Sequence, residues 1–187
     1  MKKFFLFLWE LVKVVAISAA IIIPVRYYLI QPFYVKGASM EPNFHDSEYL
    51  IIDEISYRFN QPDRGQVIVF RYPKNPQEFF IKRVIGLPGE EIQIEDGKII
   101  VYNSEYPNGL TLSEEYLGSE LETFNSDTEK IKIAENEYYV LGDNRDASKD
   151  SRSFGPVNKD YIIGKVLLRG WPLEKFTLFN KEYWPVY

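Results

Sequence analysis

Cysteine is absent from all 187 residues, and histidine occurs once, at His45. The first absence removes disulfides, thiolate-bound zinc and cysteine nucleophiles together. The second leaves no histidine-rich metal site to build, so no metal is expected. Basic residues are outnumbered, 22 Lys and Arg against 27 Asp and Glu, giving a net charge of -5. That balance lacks the basic footprint of a nucleic-acid binder, and no nucleic-acid partner is expected. Internal repeats and low-complexity tracts are also missing. What remains is 45% hydrophobic and 16% aromatic, which excludes a disordered chain. The length suits one core of ordinary size, or a core with a small appended lobe.

The run from Phe4 to Val25 is mostly apolar and is interrupted only by Glu10 and Lys13. Three residues apart, those two share a helix face and can pair. The whole run is about as long as the ~20 residues a membrane helix needs. Read strictly, the charge-free stretch Val14 to Val25 is too short to span. A cleavable signal peptide would use Lys2 and Lys3 as its basic end and Ser18-Ala19-Ala20 as its small-residue exit. An amphipathic helix lying on the bilayer is a further alternative. Ile21 to Ile23 continue the apolar run past the small residues, which favours an uncleaved anchor over residues 1–30. Lys2 and Lys3 favour a cytoplasmic N-terminus, with Arg26 weakening the asymmetry.

Past Pro32 the signals are those of strands. Tyr49 to Ile52, Gln66 to Phe70, Phe79 to Ile85, Glu137 to Leu141 and Ile162 to Leu168 are short runs rich in β-branched and aromatic residues. Turn signals such as Pro62-Asp63-Arg64-Gly65 and Pro73-Lys74-Asn75-Pro76 separate them. The expected fold is therefore mainly β: a β-rich core over 31–86 and 136–187 behind one N-terminal helix. Residues 87–135 behave differently. Asp96-Gly97 between apolar alternations signals a hairpin, and Ser104 to Lys132 is polar and acidic. This predicts a smaller inserted β lobe with a solvated loop.

Three segments carry chemistry. Ser39 sits in the Pro-bounded stretch Gly37-Ala38-Ser39-Met40-Glu41-Pro42-Asn43. In isolation such a serine is an ordinary turn residue or helix cap. Here a strand-like approach, Phe33-Tyr34-Val35, and Gly37, which permits close backbone approach, favour a nucleophile. Lys82 lies in the apolar run Phe79-Phe80-Ile81-Lys82-Arg83-Val84-Ile85-Gly86. With its ammonium in water it would be inert; buried, it would be depressed toward neutrality and could serve as a base. With no cysteine and one histidine, a Ser-Lys pair is the best nucleophile and base the chain offers. The third segment is Gly142-Asp143-Asn144-Arg145-Asp146-Ala147-Ser148-Lys149-Asp150-Ser151-Arg152. Its alternating Asn144, Asp146 and Ser148 hint at a calcium loop, but Lys149 replaces the required glycine and Gly155 the bidentate glutamate. A hydrogen-bonded turn remains as its structural reading.

Taken in order, Ser39-Met40-Glu41-Pro42, Arg64 to Phe70, Ile81 to Gly86 and the Gly142 loop resemble the boxes of bacterial type I signal peptidases. The resemblance runs from the N-terminal anchor almost to the C-terminus. It implies a β-rich catalytic core interrupted by a variable second lobe, without metal or organic cofactor. Ser39 would be the nucleophile and Lys82 the base. Ser148 would orient the Lys82 amine, Asp150 and Arg152 would form an ion pair behind it, and Asp143 and Arg145 would brace the loop. Many members carry a serine two residues before the nucleophile; this chain has Gly37 there, as some members do. Asn43 and Gln66 also depart from the usual threonine and aspartate. The resemblance gives His45 no role.

It further implies substrate pockets walled by Phe33, Val35, Met40, Phe44, Leu50, Ile81 and Val140. These would admit small residues at the first and third positions before the cut. The expected partners are signal-peptide-bearing preproteins and the lipid bilayer, with the catalytic part outside the cytoplasm of a bacterial plasma membrane. Two other classes compete: a self-cleaving Ser-Lys regulator, and a catalytically inactive, membrane-tethered interaction protein. The N-terminal anchor and the lack of a DNA-binding segment oppose the first. The presence of Ser39, Lys82 and Ser148 together opposes the second.

Overall fold

The structure, a computed structural model, describes residues 2–28, 30–118, 122–124, 129–180 and 183–184. The N-terminal run forms a single helix, α1 (Lys2–Tyr28). Its stretch Lys2–Ile23 has a mean hydropathy of 2.3 and packs against nothing else in the chain. The helix is thus long and apolar enough to cross a membrane. Its two interior charges pair as the spacing predicts, Lys13 donating to Glu10 at 2.7 Å.

The rest is mainly β. In chain order the strands are β1 (Ile30–Tyr34), β2 (Tyr49–Asp53), β3 (Val67–Tyr72), β4 (Asn75–Gly86), β5 (Glu91–Glu95) and β6 (Lys98–Tyr102). They continue with β7 (Leu110–Thr111), β8 (Ile131–Lys132), β9 (Glu137–Leu141), β10 (Val157–Asn158), β11 (Ile162–Trp171) and β12 (Thr177–Leu178). One helical turn, α2 (Ser151–Phe154), separates β9 from β10. The larger sheet runs β1-β2-β11-β3-β4-β9-β10, with β12 added to β11. All its pairings are antiparallel. The smaller sheet, β7-β6-β5-β8, comes from the segment between β4 and β9. The five strand runs read from the core and the Asp96-Gly97 hairpin all form. Asp96 and Gly97 both take positive φ, 49° and 74°, as a tight turn between right-twisted strands demands.

Two apolar clusters lie on the larger sheet, one around Val35, Met40, Phe44, Leu50 and Ile52, the other around Ile68, Phe70, Val84 and Val140. A third is shared between the sheets, joining Ile85, Tyr139 and Leu141 to Ile92, Ile99, Val101 and Ile133. Gly86 makes that junction possible, because a Cβ there would lie 2.3 Å from Ile133 and 2.4 Å from Ile92. The second sheet is therefore seated on the ends of β4 and β9. The polar stretch after β6 is less solvated than its composition predicts. Leu112, Leu117 and Thr123 are buried, and Glu114 and Tyr116 reach Arg145 after β9 and Asn43 after β1.

Candidate active site

Strand geometry places the site. β1 is an edge strand, paired only with β2. The first half of β4 pairs only with β3, since its pairing with β9 begins at Arg83. Between these unpaired edges lies a cleft of about 510 Å³, lined by Phe33 to Ser39, Leu50, Val69, Glu78 to Lys82, Ala147 and Lys149.

The chain leaves β1 into a tight turn, where Glu41 donates its amide to the Ala38 carbonyl and Phe44 to the Met40 carbonyl. Ser39 sits at this turn. On β4, side chains alternate between faces, so Lys82 and Arg83 point opposite ways. Lys82 reaches the turn: its Nζ donates to Ser39 Oγ at 2.7 Å and to the Ile81 carbonyl at 2.8 Å. Lys82 is only 3% exposed and, among the described residues, forms no ion pair with a carboxylate, Asp143 and Asp150 being paired with Arg83 and Arg152. Burial pulls its pKa from the usual 10.5 down to about 8, against an opposing pull from Asp150 and Asp143. A hydroxyl and a weakly basic amine thus share one short hydrogen bond at the end of an apolar cleft.

The Gly142 loop closes over this pair. Asn144 donates its amide to the Ser39 carbonyl at 3.1 Å. Gly142 is wedged in: a Cβ there would lie 2.1 Å from Ser148 Oγ and 2.5 Å from the Ser39 carbonyl oxygen. Asp150 caps α2, accepts from the Gly142 amide at 3.0 Å and pairs with Arg152 through both carboxylate oxygens at 2.9 Å. The predicted Asp150–Arg152 pair is present. Asp143 and Arg145 do brace the loop, but through partners the sequence did not reveal. Arg83 grips Asp143 with Nε at 2.8 Å and Nη2 at 2.6 Å, both residues being fully buried. Arg145 donates to the Gly142 carbonyl and to Glu114 of the inserted segment.

Several expectations need correction. The bond from Ser148 to Lys82 is not formed: Ser148 Oγ is shielded from solvent and has no hydrogen-bond partner among the described residues. The Ile81 carbonyl occupies the amine instead. Of the expected pocket walls, Phe33, Val35, Leu50 and Ile81 line the cleft. Met40, Phe44 and Val140 do not; they face the interior and are at most 1% exposed. Tyr34, Val69, Phe79 and Phe80 line it in their place. Gly37 offers no free amide, because its N–H donates to Asp46 at 2.6 Å. Asp46 also accepts from Ser47, and these bonds hold its carboxyl below the usual range.

The two departures from the resemblance both have structural work. Asn43 donates to Asp143 and to the Tyr116 carbonyl, each at 2.9 Å. Gln66 is buried and binds Tyr57 and Asp63. His45 lies outside the cleft lining, 3.4 Å from Glu48, which also pairs with Arg169 at 2.8 Å. Among the described residues, no three His, Asp or Glu side chains converge as metal ligands.

A serine hydrogen-bonded to a buried lysine at the end of a cleft between two free strand edges defines a class of site, one suited to acyl transfer. The particular family comes from comparison. The family model described as "Signal peptidase, peptidase S26" matches residues 8–171. Signal peptidase IB of Staphylococcus aureus is 34% identical over 94% of this chain and 96% of its own length. Probable signal peptidase I-2 of Synechocystis sp. is 33% identical over 92% of this chain and 78% of its own length. A crystal structure of a signal peptidase I from Enterococcus faecalis is 32% identical, covering 57% of this chain and 97% of that one with a TM-score of 0.46. The chain belongs to the signal peptidase family, peptidase S26. Membership makes it a peptidase of the signal peptidase kind.

Proposed function

We propose that the chain is a membrane-anchored serine endopeptidase that removes N-terminal signal peptides from exported preproteins, using Ser39 as nucleophile and Lys82 as general base. The observation that carries this reading is the 2.7 Å contact between Ser39 Oγ and a buried amine whose pKa is pulled to about 8. About a tenth of such an amine is neutral near pH 7, against about one part in three thousand for an ordinary lysine. Neutral Lys82 takes the Ser39 proton as Oγ attacks the scissile carbonyl. The protonated amine then returns that proton to the leaving amine. Water hydrolyses the acyl-enzyme with Lys82 again as base. The Ser39 amide is a donor for the tetrahedral oxyanion; Gly37 contributes none while Asp46 holds its N–H.

The substrate enters as an extended strand between the free edges of β1 and β4, where backbone hydrogen bonds give affinity and alternate side chains meet the walls. Phe33, Val35, Leu50 and Ile81 form apolar surfaces suited to small residues at the first and third positions before the cut. α1 anchors the chain, with Lys2 and Lys3 holding its start in the bacterial cytoplasm and the cleft on the outer side. Residues 31–86 and 136–187 make the catalytic unit, and 87–135 an inserted lobe. Ser148, with its hydroxyl free, is available to the Lys82 amine once Ser39 is acylated.

The test uses the full chain in detergent or lipid with a preprotein carrying an Ala-x-Ala site. Wild type and His45→Ala should cleave at similar rates, within about twofold. Ser39→Ala and Lys82→Ala should lose about 10³-fold or more, as removal of either member of a nucleophile–base pair does. Cleavage by Lys82→Ala would remove the amine from the mechanism. Silence of wild type in both detergent and lipid would turn the reading toward an inactive, tethered interaction protein.

A further inference from the structure

We infer that Glu114 and Tyr116, carried by the inserted lobe, are positioning residues that lock the Ser39 turn, the Lys82 strand and the Gly142 loop into one register. The inference rests on the Ser39–Lys82 reading above and gives the lobe a role in it.

Three catalytic elements each send one polar side chain to the same place. From the Ser39 turn comes Asn43, whose Nδ2 donates to the Tyr116 carbonyl at 2.9 Å. From β4 comes Arg83, next to Lys82, whose guanidinium lies 3.9 Å from the centre of the Tyr116 ring. From the Gly142 loop comes Arg145, whose Nη2 donates to Tyr116 Oη at 3.3 Å. Tyr116 thus meets all three with different parts of itself: backbone carbonyl, ring face and hydroxyl. Glu114 completes the contact. It accepts from Arg145 at 2.5 and 2.9 Å and from Tyr116 Oη at 2.5 Å. Thr123 of the same lobe also accepts from Arg145.

The arrangement matters because Arg145 has no exposed side-chain surface. Its carboxylate partner is Glu114, since Asp143 is gripped by Arg83 and Asp150 by Arg152. A buried cation stripped of its partner does not stay where it was. Arg145 Nε also holds the Gly142 carbonyl at 2.9 Å, and Gly142 is the residue wedged against Ser148 and the Ser39 carbonyl. Displacement at Glu114 is therefore passed through Arg145 and Gly142 to the nucleophile. Displacement at Tyr116 is passed through Arg83 to the strand of the base. Neither residue lines the cleft, so neither is placed to touch substrate.

The experiment compares full-length wild type with Tyr116→Ala, Tyr116→Phe, Glu114→Gln and, as a control on the same loop, exposed Glu115→Ala. Cleavage of an Ala-x-Ala preprotein and amide hydrogen exchange are both measured. Misplacing a catalytic group by ångström distances costs on the order of 10²-fold. Tyr116→Ala should therefore lose about 10- to 100-fold in kcat with KM within about threefold. Tyr116→Phe keeps ring and carbonyl and should recover most of that loss, while Glu115→Ala matches wild type. In Tyr116→Ala the amides of Phe44 and Asn144, bonded to Met40 and Ser39, should exchange faster. Unchanged kcat and unchanged exchange in both Tyr116→Ala and Glu114→Gln would overturn the inference. So would a rise in KM alone, which would make the lobe a substrate-binding element. If Tyr116→Ala does not fold, Glu114→Gln carries the comparison: by weakening the hold on Arg145 it should lower kcat about 10-fold and speed exchange of the Asn144 amide, and unchanged kcat and exchange in it would overturn the inference. Because exchange needs no turnover, an inactive wild type would sink the peptidase reading while the positioning claim is still decided.

Discussion

Lys82 and Arg83 are neighbours on one strand, equally buried, and their two sides of the sheet treat a cation in opposite ways. On the cleft side Lys82 meets a hydroxyl, a carbonyl and apolar walls, and burial wins: the amine is pulled toward neutrality. Behind the sheet Arg83 meets Asp143 through two parallel hydrogen bonds, the Gly65 carbonyl at 2.8 Å and the Tyr116 ring. There the charge is retained and put to structural use. Burial alone therefore does not decide what a cation does: an amine can yield its proton when buried, whereas a guanidinium keeps its charge and must be given a partner. Reactivity in front depends on rigidity behind, since a weak base is useful only if it is held at hydrogen-bond distance from the nucleophile.

The largest effect expected from attacking this contrast lies behind the sheet. Arg83→Met leaves the carboxylate of Asp143 buried without its cation, which costs about 3–5 kcal/mol. Urea unfolding should show it, and the double variant Arg83→Met/Asp143→Leu should recover much of the loss. A single variant as stable as wild type would mean that the pair is not buried as described.

The same kind of change in front should act with opposite sign. Lys82→Met removes a cation that burial disfavours. The folded pKa of about 8 lies below the unfolded value of 10.5, so between them the unfolded chain binds more protons and stability rises with pH. Below pH 8 the penalty is fully present, at most about 3 kcal/mol. Lys82→Met should accordingly be more stable than wild type by about 1–3 kcal/mol at pH 7, with the gap closing as pH rises from 8 toward 10.5. An inactive variant no more stable than wild type at pH 7 would contradict the burial argument.

The rate should report the same equilibrium. Only neutral Lys82 accepts the Ser39 proton, so kcat/KM should climb with pH through a midpoint near 8. At pH 6 it should fall to about a hundredth of its plateau. His45→Ala should leave that midpoint unmoved; a shift on its removal would bring the imidazole into the mechanism.

Much of this was legible in the chain because it is local. A helix follows from twenty-odd apolar residues, a hairpin from Asp96-Gly97, and strands from β-branched runs. Ser39, Lys82 and the Gly142 loop stood out because little else in a chain without cysteine could act as nucleophile and base. The errors share one cause. The resemblance implies Met40, Phe44 and Val140 as pocket walls, yet each points into the core. Facing depends on pairing register, which a single strand does not reveal. The resemblance implies a bond from Ser148 to Lys82, but the amine is turned to Ser39 and the Ile81 carbonyl and Ser148 Oγ is left without a partner among the described residues.

Sequence by itself determined the inventory: one apolar helix, a set of strands, a serine, a lysine with apolar neighbours, and a loop dense in charge. Only the tertiary structure decided which of those charges face each other. Arg83 finds Asp143 across 60 residues and Arg145 finds Glu114 across 31. The pairing of β4 with β9, Arg83 opposite Leu141, carries Asp143 to Arg83, and the fold of the inserted segment back onto the Gly142 loop carries Glu114 to Arg145. On the opposite face of β4 the apolar walls of the cleft strip water from Lys82 and leave it with Ser39, because the burial of an amine is set by what packs around it.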